Sequence, residues 1–251
     1  PTRTRLLDCL PPSSTISVLH NKEFITSNLR RLISHHRHQA PLREKILRDY
    51  KWTEQHFNSI HWEAYYKALQ KYPRSHRISI TKLSYSLWNT NKQNHRYYGE
   101  TALCPSCKLV TEDTVHVFTC QQPDVKAARH AALLILQQAM KRTTPCNVHE
   151  AIFSGINQWV SNPQLTTYLA PTSGSLLPQL QSITRAFLDQ TSIGWVGLFR
   201  GQIAASWAEA YVKNYEAPST KKQPSPSIVV NLSQQWSVKL ILQLWEFSKT
   251  V

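Results

Sequence analysis

Glycine is scarce in this chain, with six in 251 residues. Neither GxGxxG nor GxxxxGKS/T occurs, so the phosphate-cradling loops of the common nucleotide-binding folds are missing. Long apolar runs are missing too. The most apolar stretches, residues 131–136 and 238–244, fall far short of the roughly 20 residues that cross a bilayer. The N-terminus lacks the apolar segment of a secretory signal. No Asn-Gly hairpin signal occurs, and few segments alternate apolar and polar residues for long. The nucleophile and metalloprotease signatures GxSxG and HExxH are absent. Acidic residues are also few: 15 Asp and Glu stand against 29 Lys and Arg, a formal charge of +14. That balance excludes an acidic ligand buffer and points to a polyanionic partner.

What is present suffices for a core. Hydrophobic residues make up 41% of the chain and aromatics 10%, eight of them Trp. Such a chain buries enough apolar area to offset its ordering entropy. Apolar spacing of three and four predicts helices. A stripe runs from Phe24 to Ile33. A shorter one joins Leu42, Ile46, Leu47 and Tyr50. An aromatic face spans Ile60 to Tyr72 and stops at Pro73. Ser75 is then expected to cap a helix with Ile78, Ile80, Leu83, Leu87 and Trp88 facing inward. Residues 89–99 are polar and read as a loop. Further helices are expected over 124–140, 148–159, 176–188, 195–215 and 228–247, with loops at 171–175 and 217–227. The fold class is mainly α: helical lobes flanking a small CCHC metal module. The expected division is a basic lobe at 1–98, the module at 99–122 and a Trp-rich lobe at 123–251.

Five cysteines is an odd number, and three of them lie within 17 residues. This suits metal ligation in a reducing intracellular compartment better than a secreted disulfide framework. The segment Cys104-Pro-Ser-Cys107 to His116-Val-Phe-Thr-Cys120 has the spacing C-x2-C-x8-H-x3-C. The first pair suits a tight turn that aims two thiolates at one point. His116 and Cys120 are four apart and share one face of a helix. Cys104, Cys107, His116 and Cys120 are therefore the candidate ligands for a structural Zn²⁺. Four protein ligands leave no open position for catalysis. Cys9 and Cys146 read as ordinary thiols, with Cys146 or His130 as alternative ligands.

CPSC…EDTVHVFTC resembles the reverse-transcriptase-type zinc-binding segment of non-LTR retrotransposon polyproteins, whose usual form is CPxC…E(T/D)xxHxxxxC. The His-to-Cys gap is three residues here and four in many members. Phe57-Asn-Ser-Ile-His-Trp62 and the segment from Gln190-Thr-Ser-Ile-Gly-Trp195 to Trp207 also resemble flanking parts of mobile-element proteins. The resemblance implies a nucleic-acid-handling role beside an upstream polymerase. Because the sequence begins at Pro1 and runs out within a helical pattern, a fragment of a longer protein is expected. The polymerase itself is not expected here, since no two adjacent Asp occur. The scattered carboxylates do not suit an RNase H. Pro123-Asp124 resembles the start of a restriction-like nuclease motif, but neither Glu150 nor Asp189 begins an acid-x-Lys.

The positive charge is uneven. Residues 1–98 hold 17 Lys and Arg against 6 Asp and Glu, and residues 99–251 hold 12 against 9. Arg30, Arg31, Arg37, Arg43, Lys45, Arg48, Lys92 and Arg96 are the candidate nucleic-acid contacts, because cations neutralise phosphates. Tyr97 and Tyr98 either stack on bases or pack against the metal module. The expected function is a non-catalytic, zinc-binding region that binds RNA or DNA. The alternative is a zinc-stapled structural or protein-interaction module without direct nucleic-acid contact. No membrane or small-molecule partner is inferred.

Overall fold

The computed structural model describes residues 19–20, 23–24, 43–164, 170, 178–215 and 225–250. The chain divides into two units, Pro1–Lys51 and Trp52–Val251. The first unit contains a two-residue antiparallel pair, β1 (Leu19–His20) with β2 (Glu23–Phe24), in which Leu19 faces Phe24. Phe24 was expected to open a helix; its backbone is extended instead, and residues 25–33 lie outside the described residues. Residues 43–50 form α1, as the stripe through Ile46 and Leu47 implies.

In the second unit, α2 (Glu54–Ser59) starts from a reciprocal cap. The Thr53 hydroxyl accepts from the His56 amide, and the His56 ring accepts from the Thr53 amide. This satisfies two orphan donors at once. Helix α3 (Trp62–Gln70) buries Ala64 and Ala68. Small side chains there let α3 approach α12 (Pro226–Thr250) closely, and Tyr65 meets Trp245 edge-on at 5.4 Å. Helix α4 (Arg74–Ser84) follows Pro73, which is itself the N-cap; Ser75 lies inside the helix. Ile80 and Leu83 are buried as expected, whereas Ile78 and Leu87 face solvent.

The segment expected to be a loop at 89–99 is α5 (Asn91–Tyr98), closed by Gly99 at φ 73°. Glycine adopts that left-handed geometry without the steric cost other residues meet. Beyond the metal module and its α6 (Thr114–Thr119) come α7 (Pro123–Lys141) and α8 (Cys146–Ser161). Helix α9 (Pro178–Ile193) packs on α8 and on α11 (Ser206–Lys213).

The helix expected over 195–215 is broken into α10 (Trp195–Phe199) and α11. Gly201 turns the chain at φ 80°. Residues 203–205 then pair with α2's end: the His61 amide donates to Ile203 O at 2.9 Å, and the Ala205 amide to Ser59 O at 2.7 Å. Buried Gln190 holds this turn, accepting from the Ala204 amide at 2.9 Å and donating to Gln202 O at 3.2 Å. These long-range partners replace the hydrogen bonds a continuous helix would have made.

The loop expected at 171–175 and residues 217–224 of the second loop lie outside the described residues. Pro226 and Ser227 already belong to α12. Regular structure among the described residues is otherwise helical, so the fold is mainly α. No helix among them is long and apolar enough to cross a membrane. The core gathers Trp195, Trp207, Trp245, Phe118, Phe187 and Phe199, all fully buried.

Candidate metal centre

The four expected ligands converge. One donor atom each from Cys104, Cys107, His116 and Cys120 lies within 4.8 Å of all the others. The Cys104 and Cys120 sulfurs are 4.0 Å apart, and Cys107 Sγ is 3.3 Å from His116 Nε2. Bonds of about 2.3 Å to sulfur and about 2.0 Å to nitrogen in a tetrahedron give edges of roughly 3.8 and 3.5 Å. The donor set therefore fits a four-coordinate metal ion without rearranging the backbone.

Local hydrogen bonding explains the convergence. The Lys108 amide donates to Cys104 O at 2.8 Å, and the Cys104 amide donates to Val110 O at 2.8 Å. Lys108 takes a left-handed φ of 55°, which closes this turn. The flanks form a short ribbon: Leu103 bridges Thr111, and the Glu112 amide donates to Ala102 O at 2.9 Å. The Leu109 amide, helped by that of Val110, lowers the Cys107 thiol to about 6. A thiol so lowered is largely thiolate at neutral pH, the form that binds metal. Burial instead pushes the Cys120 thiol up, opposed by the Gln122 amide.

The second ligand pair rides on α6. Asp113 caps it, its carboxylate accepting from the Val115 and His116 amides at 3.0 Å each. Between His116 and Cys120, Phe118 turns the other way into the core. It stacks on Phe199 at 4.9 Å and lies near Trp88, Trp159 and Phe247. One turn of helix thus carries two candidate ligands on one face and an aromatic core residue on the other.

Two further contacts were not expected from the sequence. Arg129 on α7, only 3% exposed, donates to Cys120 O at 2.7 Å. Three thiolates around a divalent ion leave one net negative charge, and a buried guanidinium beside Cys120 opposes it. The sequence signal existed: Arg129 occupies the buried stripe with Leu133, Leu136 and Met140. Ala128, beside it, is exposed. Glu112 is the other addition. Its carboxylate accepts from the Asn91 amide at 2.7 Å, and its carbonyl accepts from the Lys92 amide at 3.1 Å. The Asn91 side chain donates to Leu103 O at 2.7 Å. The N-terminus of α5 is thereby tied to the metal loop.

Helix α5 brings Lys92 and Arg96 to the module's edge. Lys92 Nζ lies 3.6 Å from Asp113, and the Arg96 guanidinium sits 5.7 Å from the Tyr97 ring centre. Tyr97 and Tyr98 are 62% and 76% exposed, so the reading in which they pack against the metal module is corrected. Of the other expected contacts, Arg43, Lys45 and Arg48 lie on α1 in the first unit, where Lys45 and Arg48 pair with Asp49. Arg30, Arg31, Arg37 and Cys9 lie outside the described residues. His130 and Cys146 are not in the ligand group; both are exposed, and Cys146 hydrogen-bonds Glu150. Comparison with protein families, with curated proteins and with solved structures finds no match for this chain.

Proposed function

We propose that this chain is a non-catalytic nucleic-acid-binding region whose fold is stapled by zinc, of the kind that accompanies reverse transcriptases in retrotransposon polyproteins. The observation that carries the reading is α5. It is anchored to the metal loop through Glu112 and presents Lys92, Arg96, Tyr97 and Tyr98 outward. Cations neutralise phosphates, and exposed tyrosine rings stack on bases of any identity. Zinc is the metal that a Cys3His set of tetrahedral proportions suits best. With four protein ligands its role is structural, and no step of chemistry is assigned to it.

Fluorescence anisotropy with labelled single-stranded RNA and duplex DNA at 50 and 200 mM salt tests this reading. Affinity falls steeply with salt when cations release counterions from phosphates. Replacing Tyr97 and Tyr98 together with Ala weakens single-strand binding by about 30-fold or more, at about 1–3 kcal/mol for each of two stacked bases. Absence of binding at 50 mM salt defeats the proposal. The purely structural alternative is favoured by Phe118, which joins the metal module to the core. Under that alternative, Cys107→Ser unfolds the region while the tyrosine pair is dispensable for every ligand tried.

A further inference from the structure

Between Glu63 and Glu100 the chain contains no acidic residue, yet it carries Lys67, Lys71, Arg74, Arg77, Lys82, Lys92 and Arg96. Helix α4 lies in the middle of this stretch. Arg74, Arg77, Ile78, Thr81 and Lys82 line one shallow hollow of about 470 Å³ on its outer face. The three cations are exposed, and none has a carboxylate partner among the described residues.

On helices α9, α11 and α12 only Lys239, among the described cations, is likewise without a carboxylate partner. There Lys213 pairs with Glu209 at 2.7 Å and Lys249 with Glu246 at 2.7 Å, while Arg185 reaches both Asp189 and Glu209. Glu246, on the neighbouring α12, is already engaged by Lys249 and by the Tyr72 hydroxyl. Arg74 and Arg77 are three apart on one helix face, where like charges repel. Arg77 is also oriented, its Nε donating to Tyr72 O at 2.9 Å. A face of aligned, unneutralised cations around an apolar floor is complementary to a phosphodiester backbone.

We infer that the outer face of α4, through Arg74, Arg77 and Lys82, is a phosphate-contacting surface for nucleic acid, separate from the tyrosine edge on α5. This rests on the proposed nucleic-acid role and assigns part of the affinity to a helix that carries none of the contacts expected from the sequence. Along an α-helix these residues span 12 Å, at about 1.5 Å per residue. That length accommodates contacts to two or three consecutive phosphates.

The test is the salt dependence of binding for the full chain and for the variant Arg74→Gln/Arg77→Gln/Lys82→Gln. Each phosphate contact contributes about 0.9 to the slope of log K against log salt for duplex DNA and about 0.7 for a single strand. The triple variant is expected to lose about 2 to 3 from the slope. At 0.15 M salt that is roughly a 50- to 170-fold loss of affinity. The control Lys213→Gln/Lys249→Gln, which removes paired cations, is expected to leave the slope unchanged. Metal content and circular dichroism establish that each variant is folded. If the triple variant is not, Arg74→Gln alone is expected to lower the slope by about 0.7 to 0.9. A chain that binds nucleic acid while the α4 variant keeps the full slope overturns this inference and leaves the function standing. Equal losses in the control overturn it too, because bulk charge then accounts for binding. A chain that binds no nucleic acid at low salt overturns both. Loss of binding to vesicles of 30% phosphatidylserine, with nucleic-acid binding intact, reassigns the face to membranes and overturns it as well.

Discussion

Replacing Arg129 by Met separates two jobs that this residue combines. With a divalent ion held by the four side chains, three thiolates and the ion would carry one net negative charge beside the guanidinium that donates to Cys120 O. A unit charge about 5 Å away, at an effective dielectric near 20, contributes roughly 3 kcal/mol. Spreading the charge over four ligands reduces this, so a loss of about 2–3 kcal/mol in metal binding follows. That is about 30- to 150-fold in affinity. In the metal-free protein the balance differs. Burial pushes the Cys120 thiol up, so it is protonated at neutral pH, and Arg129 is then a buried cation bonded to a carbonyl. Burial also lowers the Arg129 pKa, a sign that the charged form is disfavoured there. Met fills similar volume without the charge but leaves Cys120 O short of a donor, a cost of about 1–3 kcal/mol. The two effects offset, and metal-free stability is expected to stay within about 1 kcal/mol of the parent. Competition against a chromophoric zinc chelator measures the first quantity, and urea unfolding in EDTA the second. If Arg129→Met binds metal within threefold of the parent while its metal-free form loses several kcal/mol, the charge argument fails. Arg129 would then be a prop for the corner between α6 and α7.

Phe118→Ala leaves a cavity among Trp88, Trp159, Phe199 and Phe247, and is expected to cost about 3–5 kcal/mol in urea unfolding; a loss under 1 kcal/mol contradicts its core role. Gly155→Ala places a methyl 1.9 Å from the Trp195 ring, so the indole must move; about 1–3 kcal/mol of destabilisation and altered tryptophan fluorescence are expected, and an unchanged melt argues against the packing described. Burial holds His61 and His149 neutral by lowering both below the ordinary value of 6.5. The unfolded chain takes up these protons first as pH falls through 6.5, so their stabilising contribution is present above that pH and is lost below it. Thermal melts in EDTA from pH 7.5 to 5 should show the decline. His61→Asn, which still offers a side-chain cap to α3, should flatten it, and an identical slope in that variant removes His61 from the explanation.

The parts of this fold that could be read from sequence are those set by local pattern. Helices α7, α8 and α12 carry apolar residues at helical spacing for three turns or more, so their existence followed from periodicity. The convergence of the four candidate ligands was readable because three thiols and an imidazole fall within 17 residues at turn and helix spacings. What escaped depends on partners distant in sequence. Helix α5 looks like a loop because its residues are polar; its first turn is fixed by Glu112, 21 positions away. The break at Gly201 needs Gln190 and the backbone of residues 59–61. The burial of Arg129 follows from its place on the stripe of α7, but its partner is a main-chain carbonyl, which no residue pattern encodes.

These distant partners also decide what kind of metal module this is. A self-contained finger keeps its own small core, so its loss leaves the neighbouring domain intact. Here the hydrophobic residue between two ligands, Phe118, belongs to the same cluster as Trp245, Phe199 and Ile152. The ligand loop also carries Glu112, which starts α5. Removing a metal held there is therefore expected to act in two directions at once: it would loosen an aromatic cluster shared by α8, α10 and α12, and free the helix that displays Tyr97 and Tyr98. If α5 binds nucleic acid as proposed, a helix tied to the metal loop in this way is expected to lose that binding when the metal leaves, even where the remaining helices keep their shape. Chelation is accordingly expected to abolish the tyrosine-dependent part of nucleic-acid binding while the α4-dependent salt slope persists in protein that is still helical by circular dichroism. Loss of both components in step, with helicity retained, would place the two faces under one control and contradict their separation.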